Sequence, residues 1–459
     1  MGRACYRNYG IRGVNVGEGT IKLCILCTYV VKLINKIRSM RLTGLMVLLL
    51  IIANCANAQN AFVYENKVYQ SNIKTVQCYN SKKEQSIPIY TLRSDEYLIF
   101  SFDDLKGGNR GYSYTVEHCS SDWKPSNINS IAYLESFNED IILKYRYSFN
   151  TLQKFTHYDL HLPNDQIRPK IAGNYLLKVY ENGNKNKPVI SQRFYVLDPI
   201  VNVGAEIVPS SEVANRTKKQ KINFTIFHQM PIPNPSQDIK AIVKQNMNDQ
   251  TAILNTKPIF IRQGSLVYNE LNANEFWAGN EYRKFDTRSF RFKAQHVQDI
   301  YVDTINTAQL FTDVSSSTAN YSNQFDENGN FFIRNQDGRD AATDSDYAKV
   351  IFSLSTLAPN EKGNVYVVGR FNNFSLSNEN KLLYDSRQKH YSTTIKLKQG
   401  LYDYKYVWVD ENGKFDDTFF EGSFFETDNT YQVFVYYRKP AGRWEELVGF
   451  SNINNTQRN

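Results

Sequence analysis

The sequence lacks an uninterrupted apolar run of the length that a membrane-spanning helix needs. The run Leu45–Ala53 is about ten residues long, whereas a spanning helix requires about twenty. Arg41 precedes this run, and the small-x-small tripeptide Ala56-Asn57-Ala58 follows it, which is typical of a cleaved secretory signal. We therefore predict a signal peptide over residues 40–58, with cleavage between Ala58 and Gln59. A lipoprotein signal through Cys55 is an alternative.

A large excess of charge of one sign is also lacking once this leader is removed. The whole chain has 54 basic and 46 acidic residues, and the first 58 residues hold eight of the basic and one of the acidic residues. The remainder carries a net charge of about +1, which gives no basis for nucleic-acid binding. We expect residues 1–39 to be a non-native upstream extension, although their apolar patch at 21–34 is an alternative leader.

Cysteine is scarce, and four of the six cysteines lie in the first 58 residues. Cys78 and Cys119 remain in the predicted mature chain. In an oxidising compartment such a pair can form a disulfide, and two buried free thiols are the alternative that the sequence leaves open.

Motifs of enzyme chemistry are absent as well, because there is no Gly-rich phosphate loop, Ser-centred elbow or paired zinc motif. His118, Cys119 and Asp122 lie close together, but adjacent strand residues point to opposite faces, so His118 and Cys119 do not meet one ion or substrate without a bulge. His157 and His161 would share a face about 13 Å apart. We predict no enzyme activity and no catalytic, cofactor-binding or metal-binding residues.

Aromatic residues in short alternating runs are what the sequence has in abundance, with 31 Tyr and 28 Phe. Alternation with a period of two marks strands that have one face on a core. Asn-Gly pairs at 182–183, 328–329 and 412–413 fit tight hairpin turns. The pattern predicts an all-β protein built from tandem immunoglobulin-like β-sandwich domains. The alternating runs include Asn174–Tyr180, Lys221–Phe227 and Leu401–Val409.

Breaks in the strand pattern suggest the domain boundaries. One break lies near Pro199, and another lies in the polar stretch 335–346. We predict a first sandwich over 60–198, a second β domain over 199–340, a C-terminal sandwich over 346–445 and a polar tail over 446–459.

A series of ordered motifs runs through the first two predicted domains. They are Ile99–Leu105, Tyr114–Trp123, Ser148–Thr151, His157–Asn164, Gly173–Val179, Gln245-Asn246 and Gly279–Asp286. In this order the set resembles the plug protein family of the type IX secretion system of Bacteroidota. The resemblance implies a non-enzymatic protein of the periplasm, peripherally associated with the outer membrane, that binds the periplasmic mouth of the large translocon barrel and keeps the channel closed.

The C-terminal domain is similar to the early-set immunoglobulin-like modules that bind α-glucans. The similarity rests on Val365–Phe374 and Gly400–Val409. It implies Phe374 and Trp408 as candidate glycan-stacking residues, and hence a periplasmic carbohydrate-binding protein as the alternative function. Packing of both aromatics inside the sandwich is the structural alternative.

A candidate partner-binding segment follows the strand-like residues 433–437. Arg438, Arg443 and Trp444 lie within seven residues of each other, and Arg and Trp are enriched in interface hot spots. We predict these three residues as contacts for the translocon barrel, with a surface hairpin whose Trp covers its own core as the alternative.

Overall fold

Strands dominate the computed structural model, which describes residues 61–356 and 362–455. The α-helices of this part are single turns: α1 (Ser130–Tyr133), α2 (Pro235–Asp238) and α3 (Ala341–Asp344). None of the helices in these two ranges is long and apolar enough to cross a membrane. The all-β prediction is therefore confirmed. The predicted cleavage site at Ala58 and Gln59 and the expected extension 1–39 lie outside the described residues.

The first sandwich is built from two sheets that enclose a core rich in Tyr, Phe and Leu. One sheet has the order β1-β10-β9-β5-β6, with β3 parallel to β10, and the other has the order β2-β4-β8-β7. Its strands are β1 (Lys67–Val68), β2 (Ile73–Asn80), β3 (Ile89–Thr91), β4 (Leu98–Asp104), β5 (Tyr112–Cys119), β6 (Asp140–Ile141), β7 (Lys144–Tyr147), β8 (Thr156–Leu162), β9 (Gly173–Glu181) and β10 (Pro188–Leu197).

The next segment supplies most of a second sandwich. One of its sheets has the order β11-β12-β16-β15, with β17 beside β12, and β13 and β14 pair in the other sheet. These strands are β11 (Asn202–Pro209), β12 (Lys219–Phe227), β13 (Ile239–Gln245), β14 (Ile253–Asn255), β15 (Phe260–Arg262), β16 (Ser265–Tyr268) and β17 (Glu275–Trp277).

A third sandwich is formed by one continuous sheet of eleven strands that folds over its own aromatic core. Its main path is β18-β27-β24-β25-β26-β23-β20-β19. The strands are β18 (Arg283–Asp286), β19 (Val297–Tyr301), β20 (Asn306–Leu310), β21 (Asp313–Val314), β22 (Phe331–Ile333), β23 (Tyr347–Ser355), β24 (Gly363–Val368), β25 (Lys381–Asp385), β26 (His390–Lys398), β27 (Gly400–Asp410) and β28 (Phe415–Asp416).

The last two strands, β29 (Thr430–Tyr437) and β30 (Glu446–Asn454), do not join the third sandwich. They extend the second sheet of the second sandwich, which has the order β14-β13-β29-β30, and Val433 and Val435 pack in its core. This differs from the sequence prediction, which put 346–445 in one domain and 446–459 in a polar tail. The physical reason lies in Leu447 and Val448, both fully buried, which make β30 a core strand despite its polar surroundings.

The predicted Asn-Gly turns are observed. Asn182 and Gly183 follow the end of β9 at Glu181 and have positive φ angles, of 50° and 72°. Because β10 begins only at Pro188, they start a longer connection and not the tight two-residue hairpin that the pair predicts. Asn412 and Gly413 lie between the antiparallel strands β27 and β28, and residues 328–329 also form a turn.

The first and third sandwiches are joined by a buried ion pair. Asp103 on β4 and Lys398 on β26 are 0% and 1% exposed, and their Oδ2 and Nζ atoms are 2.6 Å apart. Tyr347 donates to the same carboxylate oxygen at 2.7 Å, and His157 Nδ1 lies 2.7 Å from Oδ1. Burial opposes ionisation of Asp103, but Lys398 and His157 outweigh it and hold the pKa of the carboxyl group below its usual range.

The first and second sandwiches meet through aromatic rings and buried hydrogen bonds. The rings of Tyr195 on β10 and Phe434 on β29 stack at 4.6 Å between centroids. Tyr436 donates to Asn174 Oδ1 at 2.8 Å, and Lys244 donates to the Tyr195 hydroxyl at 2.9 Å. Because these groups are buried, the joint is a continuation of the cores and not a hydrated contact.

We predict that Lys398→Met lowers the free energy of unfolding by about 3–5 kcal/mol, since it leaves the Asp103 carboxylate buried without its cation. Urea unfolding at neutral pH measures the change. The difference from the parent protein should shrink below about pH 4, because stability linked to a lowered carboxyl pKa is lost as pH falls through the folded-state value.

Lys349→Met is the matched control, because Lys349 is exposed on strand β23 of the same sandwich. Its effect should stay within about 0.5 kcal/mol. Equal losses for the two variants would contradict the assignment of Asp103 and Lys398 as the joint between sandwiches.

Candidate interaction surface

The predicted partner-binding residues lie in the connection between β29 and β30, residues 438–444, which we call the basic turn. Arg438 and Arg443 are exposed and Trp444 is half-buried. Among the described residues neither Arg438 nor Arg443 has a carboxylate within ion-pair distance. Trp444 Nε1 donates to Glu446 Oε1 at 3.2 Å, so the indole lies over the start of β30. The structure therefore brings the three predicted residues onto one turn with two free guanidinium groups.

The base of this turn is fixed against the first sandwich. Glu445 accepts a hydrogen bond from the Ser121 backbone N–H at 2.8 Å and pairs with Lys240 Nζ at 2.6 Å. Burial alone would raise the pKa of Glu445, but these contacts lower it below its usual value, so the group is ionised at neutral pH. The Arg438 backbone N–H also donates to Asp238 O at 2.9 Å. The basic turn is thus held on a rigid base.

A more extensive apolar surface lies on the first sandwich, and sequence analysis missed it. We call it the first-sandwich rim. Strand β6 is the edge of one sheet and β7 the edge of the other, so the chain between and around them crosses the open side of the sandwich. Leu143 and Phe149 are 78% and 71% exposed there. The rim consists of Ile131, Phe137, Ile141, Leu143, Tyr147 and Phe149, all exposed.

The rim has no clear strand or helix period, and this explains why it escaped the sequence analysis. Its apolar residues are spaced irregularly. The sequence pattern therefore does not distinguish them from buried residues of short strands. The outward orientation of these side chains becomes evident only in the structure, where β6 and β7 lie at the edges of the two sheets. Exposed apolar side chains concentrated in one segment, here residues 131–149, are candidates for a partner-binding surface.

A smaller exposed apolar edge belongs to the second sandwich. Strand β15 is the last strand of its sheet, and all three of its residues are exposed, among them Phe260 and Ile261. Leu254 on the edge strand β14 is exposed as well. Such an edge offers unpaired backbone groups to another chain.

The candidate glycan-stacking residues are not on a surface. Phe374 and Trp408 are both buried. Phe374 packs with Tyr282, Val368 and Val407, and the Trp408 ring stacks on Phe419 at 5.2 Å. Since a sugar needs an exposed aromatic face, the geometry favours the structural alternative for both residues.

The two cysteines are separate free thiols. Cys78 is buried in the core of the first sandwich, and Cys119 is buried in the cluster between the first and second sandwiches. Burial raises the pKa of each thiol to about 12. The structure therefore shows the free-thiol alternative and not the disulfide.

Residue types that serve in catalysis or metal binding are turned toward structural partners. His118 Nδ1 lies 2.8 Å from Ser126 Oγ, and burial lowers the pKa of His118 to about 4. Cys119 Sγ points to the Glu117 carbonyl at 3.6 Å, so the two neighbours do not share a site. Within 61–356 and 362–455, no group of three or more His, Cys, Asp or Glu side chains has the geometry to hold a metal ion.

A buried pair of carboxyl groups lies beside the 326–329 turn. Asp403 Oδ2 accepts from the Glu327 backbone N–H at 2.6 Å, and Asp326 Oδ1 accepts from the Asn328 N–H at 2.7 Å. Burial raises the pKa of Asp403 to about 7 and that of Asp326 to about 8, and the Asp403 charge adds to the second shift. The two groups thus hold protons near neutral pH, and each is bound to a turn backbone.

We predict that Asp403→Asn makes the protein relatively more stable as pH rises. A carboxyl group with a raised folded-state pKa costs stability above its unfolded value, and from about pH 4 to above pH 7 that cost reaches about 4 kcal/mol. Thermal or urea unfolding of both proteins across this range measures it. The exposed Asp165→Asn is the control and should follow the parent curve; parallel curves for Asp403→Asn would contradict the pKa assignment.

Comparison with known proteins identifies a matching protein family and a similar solved structure. A family model described as the type 9 secretion system plug protein first domain matches residues 73–198. The crystal structure of a hypothetical protein from Parabacteroides merdae has 30% sequence identity and a TM-score of 0.82, over 85% of this chain and 99% of that chain. No curated protein matches the sequence.

A further solved structure, dimeric latent PorU from Porphyromonas gingivalis, has 9% identity over 84% of this chain and 34% of that chain, with a TM-score of 0.14. That similarity is too low to carry an argument. Three observations agree. The family model matches the first sandwich, the Parabacteroides merdae structure is similar over most of both chains, and the ordered motifs run through the first two predicted domains. The chain therefore belongs to the type IX secretion system plug protein family, and its role lies in type IX secretion.

Proposed function

We propose that this protein is a periplasmic plug subunit, peripherally associated with the outer membrane. It binds the periplasmic mouth of the translocon barrel of the type IX secretion system and keeps the channel closed, without catalysis. The observation that carries the proposal is the match of the first sandwich to the plug first domain, and the exposed apolar side chains of the first-sandwich rim lie within the matched residues.

The contacts with the barrel come from the first-sandwich rim and the basic turn. The rim supplies large apolar side chains such as Phe137, Leu143 and Phe149, and the basic turn supplies Arg438, Arg443 and Trp444. A few buried side chains at the centre of an interface, often aromatic residues or Arg, carry most of its binding energy. A plug must also resist deformation, and the buried Asp103–Lys398 pair joins the sandwich that bears the rim to its neighbour.

Affinity purification of a C-terminally tagged copy from mildly solubilised envelopes tests the partner. We predict recovery of a very large outer-membrane barrel, identified by mass spectrometry. The variant Phe137→Ser/Leu143→Ser/Phe149→Ser should lower the recovered barrel more than about tenfold, because hot-spot truncations cost about 2 kcal/mol or more each. Charge reversal at Arg438 and Arg443 tests the basic turn in the same way.

The control carries three substitutions at exposed apolar positions of the third sandwich, Val302→Ser/Phe325→Ser/Leu383→Ser, and should recover the barrel at the parent level. Recovery of the tagged protein alone, or equal losses in the rim variant and the control, would count against the proposed surface.

Loss of the plug should open the channel. Cells without this protein, and whose translocon lacks its other partners, are expected to take up large antibiotics that the outer membrane normally excludes. Restoring the parent gene should reverse the uptake, whereas the rim variant should not. Unchanged uptake in the deletion strain would argue against gating even if the protein binds the barrel.

A further inference from the structure

A cavity of about 400 Å³ lies where the three sandwiches meet. Its wall includes Cys78 and Ile87 from the first sandwich, Met247 from the second, and Arg370 and Phe374 from the third. Small-molecule sites typically have volumes of about 300–1,000 Å³ and combine apolar walls with a few convergent polar groups. Neither the rim nor the basic turn contributes to this wall.

Arg370 is the principal charged group of the cavity. Its Nη1 donates to the Gln85 carbonyl at 2.9 Å and to Asn330 Oδ1 at 2.8 Å. Within the described ranges no carboxylate lies at ion-pair distance from this guanidinium. Burial lowers its pKa to about 10, so it still carries its charge at neutral pH. A half-buried cation without a carboxylate partner is unfavourable, and its remaining N–H groups are available to an anion.

Gln85 supplies a second unused donor. Its side chain is only 5% exposed, it lines the same cavity, and its Nε2 is buried without a hydrogen-bond partner. A buried donor without an acceptor destabilises the protein, and an acceptor on a ligand would remove that cost. The same residue accepts from Arg370 through its backbone carbonyl, so Gln85 and Arg370 are in direct contact and line the same cavity.

The carboxylates of the wall do not neutralise Arg370. Asp249 is bound on both sides, by Arg193 Nη1 at 2.5 Å and by Lys244. Glu65 is exposed to solvent. The inner wall therefore has an excess of positive charge, and this favours an anionic ligand.

The remaining wall is aromatic and aliphatic, which indicates that the ligand has an organic part. Phe331, Phe374, Phe434 and Ile87 line the cavity. We propose that this cavity binds a small organic anion whose carboxylate or phosphate pairs with Arg370 and accepts a hydrogen bond from Gln85 Nε2, while its apolar part packs on the aromatic wall. A ligand there contacts all three sandwiches, so it would favour the arrangement seen here over any in which they separate.

Calorimetric titration of the whole exported chain tests the site with four probes: benzoate, phenyl phosphate, inorganic phosphate and uncharged benzyl alcohol. We expect saturable binding of benzoate or phenyl phosphate, at least tenfold tighter than that of benzyl alcohol. Arg370→Met should weaken it at least tenfold, and Arg387→Met, at an exposed position of the third sandwich, should not change it. Preference for phenyl phosphate or for benzoate identifies the anionic group. Inorganic phosphate binding as tightly as phenyl phosphate would overturn the organic part of the proposal.

A measurement on the parent protein keeps the test independent of variant folding. Cys78 lies in the cavity wall, whereas Cys119 does not. A bound anion should slow modification of Cys78 by a small uncharged thiol reagent at least threefold, as followed by peptide mapping, and leave the rate at Cys119 unchanged. No saturation by any anion at millimolar concentration, or equal protection of both cysteines, would overturn the proposal while leaving barrel binding untouched.

Discussion

The carboxylate of Asp103 is the group on which the arrangement of this protein depends. It is fully buried, and its partners come from two different sandwiches: His157 from its own, and Lys398 and Tyr347 from the third. A charge in such a place is tolerated only when every partner is present. The contact therefore specifies one relative placement of the two sandwiches, since any other placement would separate Asp103 from Lys398 and leave both charges buried without a partner. The exposed surfaces acquire fixed positions as a result.

Much of the fold could be predicted from local sequence, because a strand with one buried face shows apolar and polar residues in alternation. Alternating runs such as Asn174–Tyr180 lie within strands, and Asn182-Gly183 begins the connection that follows β9. The return of β29 to β13 could not be predicted in this way. Residues 239–245 and 430–437 are distant in the sequence, and each reads as an ordinary strand that would fit several sheets. The partner is decided by core packing, which a single sequence does not display.

The candidate sites show the same division. Sequence composition drew attention to Arg438, Arg443 and Trp444, and the structure does place them on one turn. The sequence also drew attention to Phe374 and Trp408, which are buried. The residue type alone does not show whether an aromatic side chain packs in a core or lies on a surface. The first-sandwich rim and the Arg370 cavity were missed for the converse reason. Both depend on which edges remain uncovered and on where three sandwiches meet.

The closing of the second sandwich by β29 and β30 has a consequence for the order in which parts of the chain fold. The third sandwich is in effect an insertion between two parts of the second. One edge of β13 pairs with the nearby β14, but the other edge lacks its partner β29 until almost the whole polypeptide is available. Contacts of such long sequence separation form late, because the intervening loop must be ordered first. The first sandwich, whose strands are contiguous from 67 to 197, has no such delay. A chain that ends before residue 430 would have a complete first sandwich and a β13 with one unpaired edge, and such an open edge is the kind that invites aggregation or proteolysis.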